Sequence, residues 1–219
     1  MKTSAVIFDM DGVLMDSEWF IAEAGKRMFK ENHNVDVAHA DFKPFVGFGE
    51  NRFLGGVAAK HGVSGFDVER DKARTYEIYC DIVKGKLNEL PGAAAFVGSC
   101  RARGLKTALA TSTDRVKMLA SLHEIGLDHG EFDAMVNGLD VERRKPFPDI
   151  FLKAAELIGI EPANCWVVED AIAGVAAAKA AGMRCLALLT TFPEAELRKA
   201  GADLIATDLA DAKLDLLLL

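Results

Sequence analysis

From Lys106 onward, short apolar runs alternate with amphipathic stretches, and this alternation constrains the fold more than any other feature of the chain. "KTALA", "FDAMVNG", "CWVVED", "MRCLALL" and "ADLIAT" read as strands. Between them, "DRVKMLASLHEIG", "PDIFLKAAELIG", "AIAGVAAAKAAG" and "PEAELRKAG" carry helical periodicity, and the tail ending in "LDLLLL" reads as a last helix. Such an order predicts a parallel sheet with helices on both faces, the α/β doubly wound class. "AVIF" near the N-terminus supplies a first strand.

Between the first strand and the alternating region the pattern changes. "SEWFIAEAGKRMFKEN", "ADFKPF", "GENRFLGGVAAKHG" and "DVERDKARTYEIYCDIVKGK" all read helical, and no strand is evident. The expected organisation is therefore a core of residues 1–15 and 87–219 with a helical insert, residues 16–86. Its second connection falls near "LNELPG", where Pro91 and Gly92 break the chain. The core then resumes with a helix, "AAAFVGSCRARG".

Open parallel sheets bind ligands beyond the carboxyl ends of their strands, so the residues after each strand carry the functional expectation. Asp9 and Asp11 follow "AVIF", Thr111 and Ser112 follow "KTALA", and Arg143, Arg144 and Lys145 lie in the loop after "AMVNG". Glu169 and Asp170 follow "CWVV". Each has an ordinary structural reading too. The hydroxyls or Asp114 could cap a helix, Lys145 could be an exposed loop lysine, and Glu169-Asp170 could be an acidic helix start. The D-x-D-G turn resembles the start of a calcium loop, but Phe20 stands where an EF-hand needs Glu. Together, on one edge of one sheet, these residues read as acids, hydroxyls and a cation gathered for chemistry.

Net charge narrows the partner. At −7, with no basic footprint, the chain is not expected to bind nucleic acid. No apolar run reaches the ~20 residues of a membrane span, and "MKTSAVIFD" does not read as a secretory signal. An acidic protein acting on an anion needs local positive charge, from a metal ion or a placed lysine. The four cysteines form no C-x-x-C pair and read as buried thiols of a reducing cytoplasm. The five histidines show no ligand spacing for zinc.

"DMDGV" at 9–13, "ATS" at 110–112, "KPFPDIF" at 145–151 and "VVEDAIAGVAAAKAAGM" at 167–183 resemble, in order, the four motifs of the haloacid dehalogenase superfamily. The resemblance is nearest to its β-phosphoglucomutase-like phosphatases and phosphomutases, and it covers essentially the whole chain. It implies a helical cap for residues 16–86 and Mg²⁺-dependent hydrolysis of a small phosphorylated metabolite. It implies Asp9 as nucleophile, Asp11 as general acid and base, and Lys145 against the transferring phosphoryl. Thr111 and Ser112 would bind phosphate, and Asp9, Asp11, Asp170 and Glu169 would hold the metal. "PFVGFGE" resembles the family's substrate-specificity loop, making Gly47, Phe48, Gly49 and Glu50 candidates in the cap. Ala171 departs from the Ser that many relatives carry after the Glu-Asp pair. Mutase relatives carry a His where this chain has Ile21, and a basic residue where it has Glu50; Lys43 could partly substitute. The resemblance therefore implies a phosphatase, with a phosphomutase and a catalytically idle binding domain as alternatives. A monomer is expected, with "LDLLLL" packed as the apolar side of a helix.

Overall fold

The computed structural model describes residues 2–46, 49–127 and 129–218. These form a six-stranded sheet of β1 Ala5–Phe8, β2 Lys106–Ala110, β3 Ala134–Val136, β4 Cys165–Glu169, β5 Arg184–Leu188 and β6 Leu204–Ala206. Every pairing is parallel, in the order β3-β2-β1-β4-β5-β6. The expected doubly wound α/β class is the class observed.

Side chains alternate across a strand, and here the alternation sorts them by size. Val6, Phe8, Leu109, Trp166, Val168, Leu186 and Leu188 face one side, against α5 Ala93–Ala102 and α6 Arg115–Glu124. Ala5, Ile7, Ala108, Ala110, Cys165, Val167, Cys185 and Ala187 face the other, against α7 Asp149–Ile158 and α8 Ile172–Ala180. Small residues there let the alanine-rich α8 lie close to the sheet. Both faces are covered, which is why the strands read as continuous apolar runs. α9 Glu194–Ala200 joins the second face through Leu197. The tail forms α10 Leu214–Leu217, whose Leu217 is buried and whose carbonyl accepts hydrogen bonds from the Trp166 indole at 2.9 Å and from the Thr3 hydroxyl.

Between β1 and α5 the described elements are all helical: α1 Glu18–His33, α2 His39–Phe42, α3 Glu50–Lys60 and α4 Val68–Ile82, with a 3₁₀ turn at Lys43–Phe45. Phe29, Phe42, Phe53 and Phe66 build an aromatic centre, with Phe42 and Phe53 stacked at 4.8 Å. Gly25 is needed in α1 because a Cβ would come within 2.9 Å of the Phe42 ring. Fully buried Asp71 ties α4 to α1, accepting from Asn32 at 2.8 Å and facing His33 Nε2 at 2.9 Å. His39 and His61 likewise pair with Glu23 and Asp41. The two connections run side by side, joined by a Met15–Glu89 bridge and by the Leu90 amide donating to Leu14 O at 2.8 Å.

Strand order places the site. The chain moves outward from β1 through β2 to β3, then crosses back to β4 on the other side of β1. The carboxyl end of β1 is thus flanked by diverging connections, where doubly wound sheets open a crevice. No helix among the described residues is long and apolar enough to cross a membrane.

Candidate active site

Asp9 leaves the end of β1 with its amide still on the ladder, donating to Val168 O at 2.9 Å. Its carboxylate Oδ1 accepts from Lys145 Nζ at 2.6 Å. The same ammonium donates to Glu169 Oε1 at 2.6 Å and to Ala110 O at 3.4 Å, and lies 4.9 Å from the centre of the Phe151 ring. Lys145 therefore bridges the ends of β1, β2 and β4 from a loop beyond β3. Its side chain is 4 % exposed, so it is not the solvated loop lysine of the ordinary reading.

Glu169 has both oxygens occupied. Oε1 takes Lys145, and Oε2 accepts the amides of Asp170 at 2.9 Å and Ala171 at 2.8 Å. One carboxylate thus serves the helix start and the site together. Gly174 allows this, because a Cβ there would run into the Glu169 carboxylate. Gly12, at φ +78°, plays the same part for Asp170, which would collide with any Cβ at that position. Thr191, beyond β5, donates to Asp170 Oδ2, and Thr190 donates to Gly12 O at 2.5 Å. These two threonines were not among the sequence candidates, although they obey the same strand-end rule.

Asp9, Glu169 and Asp170 each offer a carboxylate oxygen within 4.8 Å of the others. Burial raises the Asp9 carboxyl, and Glu169 and Asp11 add to it; Lys145 opposes them, leaving it pushed up to about 7. Burial, then Glu169 and Asp9, hold Asp170 well above the usual carboxylate range. Burial pulls the Lys145 ammonium down, but Asp9 and Glu169 outweigh it and hold it above its ordinary range. Three crowded acids with one ammonium are short of positive charge. An all-oxygen donor set with that deficit fits a hard divalent cation such as Mg²⁺.

Asp11 stands apart from that cluster. It accepts from the Ser17 hydroxyl on one oxygen and from Lys117 Nζ at 2.6 Å on the other. Lys117 lies on α6, is 3 % exposed, and also faces Glu50 Oε1 at 3.8 Å. Burial lowers its ammonium, but Asp11 and Glu50 more than restore it. Sequence reasoning missed Lys117 by assigning "DRVKMLASLHEIG" only a helix. The available signal was its place beside Met118, Ser121 and Leu122 on the buried stripe of α6.

Thr111 and Ser112 follow β2 and are buried. Thr111 Oγ1 accepts the Thr113 amide at 3.2 Å, leaving its proton free to donate, and Ser112 Oγ has no partner among the described residues. Asp114 occupies the N-cap position of α6 without making a capping bond. Its carboxylate instead faces Lys72 at 3.0 Å and Arg144 at 3.4 Å.

Of the cap candidates, Gly47 and Phe48 lie outside the described residues. Gly49, at φ +78°, is the N-cap of α3 and lies beside Arg144, whose guanidinium fills the space of a Cβ. Glu50 is buried, and its Oε1 accepts from Thr113 Oγ1 at 2.6 Å. Lys43 is exposed and does not line the cavity. That cavity, about 370 Å³, is lined by Asp9, Asp11, Thr111, Ser112, Lys145 and Asp170 on one side. Ile21, Phe45, Val46, Glu50 and Phe53 line the other.

A fold with acids, hydroxyls and a buried lysine at the end of β1 defines a class of hydrolase, and the comparisons name it. The model of the haloacid dehalogenase-like hydrolases matches residues 3–182. The chain belongs to that family of hydrolases. It is 46% identical over 216 residues to Protein SUPPRESSOR OF QUENCHING 1, chloroplastic, of Arabidopsis thaliana, covering 98% of this chain and 20% of that protein. The chain thus spans about a fifth of that relative's length. It is 35% identical over 187 residues to the phosphorylated carbohydrates phosphatase of Thermotoga maritima, covering 82% of each. The crystal structure of a hydrolase from Pseudomonas syringae superimposes with a TM-score of 0.81 at 27% identity, covering 95% of both chains.

Proposed function

We propose that this chain hydrolyses a small sugar- or polyol-phosphate-like monoester through an aspartyl-phosphate on Asp9, with Mg²⁺ as cofactor. The observation that carries the reading is Asp9 itself: a buried carboxylate beside Lys145 at 2.6 Å, open to the cavity at a strand end. An Asp9 oxygen attacks phosphorus, and the bond from phosphorus to the ester oxygen breaks. Asp11 gives its proton to the departing alcohol oxygen. It then takes a proton from water as that water's oxygen attacks phosphorus and frees Asp9. Lys145 faces both Asp9 and the transferring phosphoryl, and Thr111 and the Ser112 amide hold the other phosphoryl oxygens.

Asp9, Asp170 and the Asp11 main-chain carbonyl would hold Mg²⁺, with Glu169 acting through water. The bound ion supplies charge relief as one anion attacks another. Residues 16–86 serve as the cap, closing the cavity over the substrate. A monomer in a reducing compartment, the cytoplasm, completes the proposal; the four free cysteines accord with it.

A phosphatase fits better than a mutase because Ile21 and Glu50 line the side of the cavity facing the core acids, and neither can clamp a second phosphate. Initial rates over a panel of sugar phosphates, polyol phosphates and nucleotides, with Mg²⁺ and with EDTA, test the reading. Mg²⁺-dependent phosphate release supports it, and full activity in EDTA overturns the metal assignment. Incubation with β-glucose 1-phosphate and catalytic bisphosphate separates the mutase: isomerisation outrunning phosphate release more than about tenfold, ~1.4 kcal/mol, would favour it.

A further inference from the structure

We propose that Thr191 is a positioning residue for Asp170: its hydroxyl fixes the angle of that carboxylate, and this favours Mg²⁺ over Ca²⁺ at the acid cluster. The inference rests on the Mg²⁺ reading of Asp9, Glu169 and Asp170 and adds to it a residue from outside the cluster, in the segment between β5 and α9.

Asp170 is buried, but burial alone does not aim it. The carboxylate of an aspartate turns in a broad, roughly two-fold well about its last bond. Gly12 gives it space, since any Cβ there would collide with Oδ2, but supplies no side-chain donor. The Lys145 ammonium is committed elsewhere, to Asp9 and Glu169 at 2.6 Å each and to Ala110 O at 3.4 Å. Ala171, next to Asp170 in the chain and lining the same cavity, has no hydroxyl to give. Among the hydrogen bonds of the described residues, the one that reaches the Asp170 carboxylate runs from the Thr191 hydroxyl to Oδ2. The other oxygen, Oδ1, is left for a cation.

Thr191 is itself anchored on both sides. Before it, the Leu189 amide donates to Ala206 O at 3.0 Å and the Thr190 hydroxyl donates to Gly12 O at 2.5 Å. After it, Phe192 packs against the core face that holds α7 and α8. The hydroxyl therefore sits on a segment tied to β6, to the loop after β1 and to the core. Thr191 is exposed at the edge of the cavity, so exchanging its side chain removes little packing.

Orientation matters unequally to the two ions. Mg²⁺ demands near-octahedral ligands at about 2.0–2.1 Å, whereas Ca²⁺ accepts irregular shells at about 2.3–2.6 Å. A carboxylate free to swing therefore costs Mg²⁺ more. Partners that orient a metal ligand are worth about 10- to 100-fold in affinity.

Because Thr191 lines the cavity, the competing account is that its hydroxyl serves the substrate. The test therefore omits substrate: Mg²⁺ and Ca²⁺ are titrated separately into the metal-free full chain, and binding is read by calorimetry and by the rise in melting temperature. Thr191→Val should weaken Mg²⁺ binding by about 10- to 100-fold and Ca²⁺ binding by less than about threefold. Thr191→Ser, which keeps the hydroxyl, should hold both within about threefold of wild type. Unchanged Mg²⁺ affinity in Thr191→Val overturns the proposal, and a raised KM in that variant would then assign the hydroxyl to the substrate. Equal losses for the two ions, or a Thr191→Ser as weak as Thr191→Val, overturn it as well. A wild-type chain that binds Mg²⁺ no better than Thr191→Val sinks this inference and spares the metal reading; a wild-type chain that binds no Mg²⁺ sinks both.

Discussion

The two sides of the cavity each contain a buried lysine between two carboxylates, but they are built in opposite ways. On the core side, Lys145 joins Asp9 and Glu169, residues from the ends of two neighbouring parallel strands. On the helical side, Lys117 of α6 joins Asp11 of the β1 loop to Glu50 at the start of α3. The first group lies wholly within the core, at the ends of its strands and in the loop beyond β3. The second is completed by the helical block, since only Glu50 comes from it, and Lys72–Asp114 at 3.0 Å and Tyr79–Ser121 at 2.7 Å span the same junction. On the proposed function, the chemistry belongs to the first group, and the second group links the core to the helical block.

The largest effect is expected at the proposed nucleophile. Asp9→Asn is near-isosteric but cannot attack phosphorus, so kcat should fall at least about a thousandfold with the fold intact by circular dichroism. Retention of more than about a hundredth of kcat, a loss under ~2.7 kcal/mol, counts against the role. Lys145→Met should cost about 100-fold or more in kcat, the scale of one lost electrostatic contact at the reacting group. It also leaves the buried Asp9 and Glu169 carboxylates without their cation, so chemical denaturation should show metal-free stability down by about 3–5 kcal/mol.

Acidity offers a second way to separate the two sides. Folded Asp9 holds its proton to about pH 7, whereas the ordinary value is 3.8. The folded state therefore binds more protons between those values, and the metal-free chain should lose stability as pH rises through that window. Asp9→Asn should flatten that slope, which a pH series of metal-free melting curves would read. Mg²⁺ needs the carboxylates deprotonated, so its half-saturating concentration should fall as pH rises toward and past 7. A Mg²⁺ requirement independent of pH between 5 and 8 would break the link between the crowded acids and the metal.

Much of the core side was legible because a strand end is a local signal. "AVIF" stops at Asp9, "CWVV" stops at Glu169, and parallel pairing makes those ends neighbours. The orientation of Asp170 by Thr191 was available from the same rule but needed β5 to lie beside β4. The helical side was less legible because no local pattern says which face of α6 meets which end of α3. Lys117 looked like one polar residue in an amphipathic stretch, and its burial depends on a contact between segments far apart in sequence. Glu50 was legible as a position in a loop, but not as an acceptor with one oxygen unpaired. Ser17 shows the same limit, since its bond to Asp11 crosses a turn that sequence gives only as a connection.

Smaller effects belong to that side. Lys117→Met frees Asp11 from its cation, and kcat should drop about tenfold, with Lys117→Arg recovering part of it. The loss should be greater for an alkyl phosphate than for p-nitrophenyl phosphate in the phosphoenzyme-forming step, because only the alkyl leaving group depends on a well-placed acid. Equal losses for both esters in single-turnover quench experiments would make Lys117 purely structural. Ser17→Ala removes one hydrogen bond and should cost about two- to tenfold in kcat.

The most direct test of the account is to catch the phosphoryl group on Asp9. Enzyme with Mg²⁺ is mixed with a phosphate ester that it turns over, quenched in acid within one turnover, digested, and the peptide bearing residues 5–15 weighed by mass spectrometry. The account predicts a mass gain of one phosphoryl group at Asp9, lost on hydroxylamine treatment and absent in Asp9→Asn. Full turnover with the phosphoryl group on another residue, or continued turnover in Asp9→Asn, would contradict it.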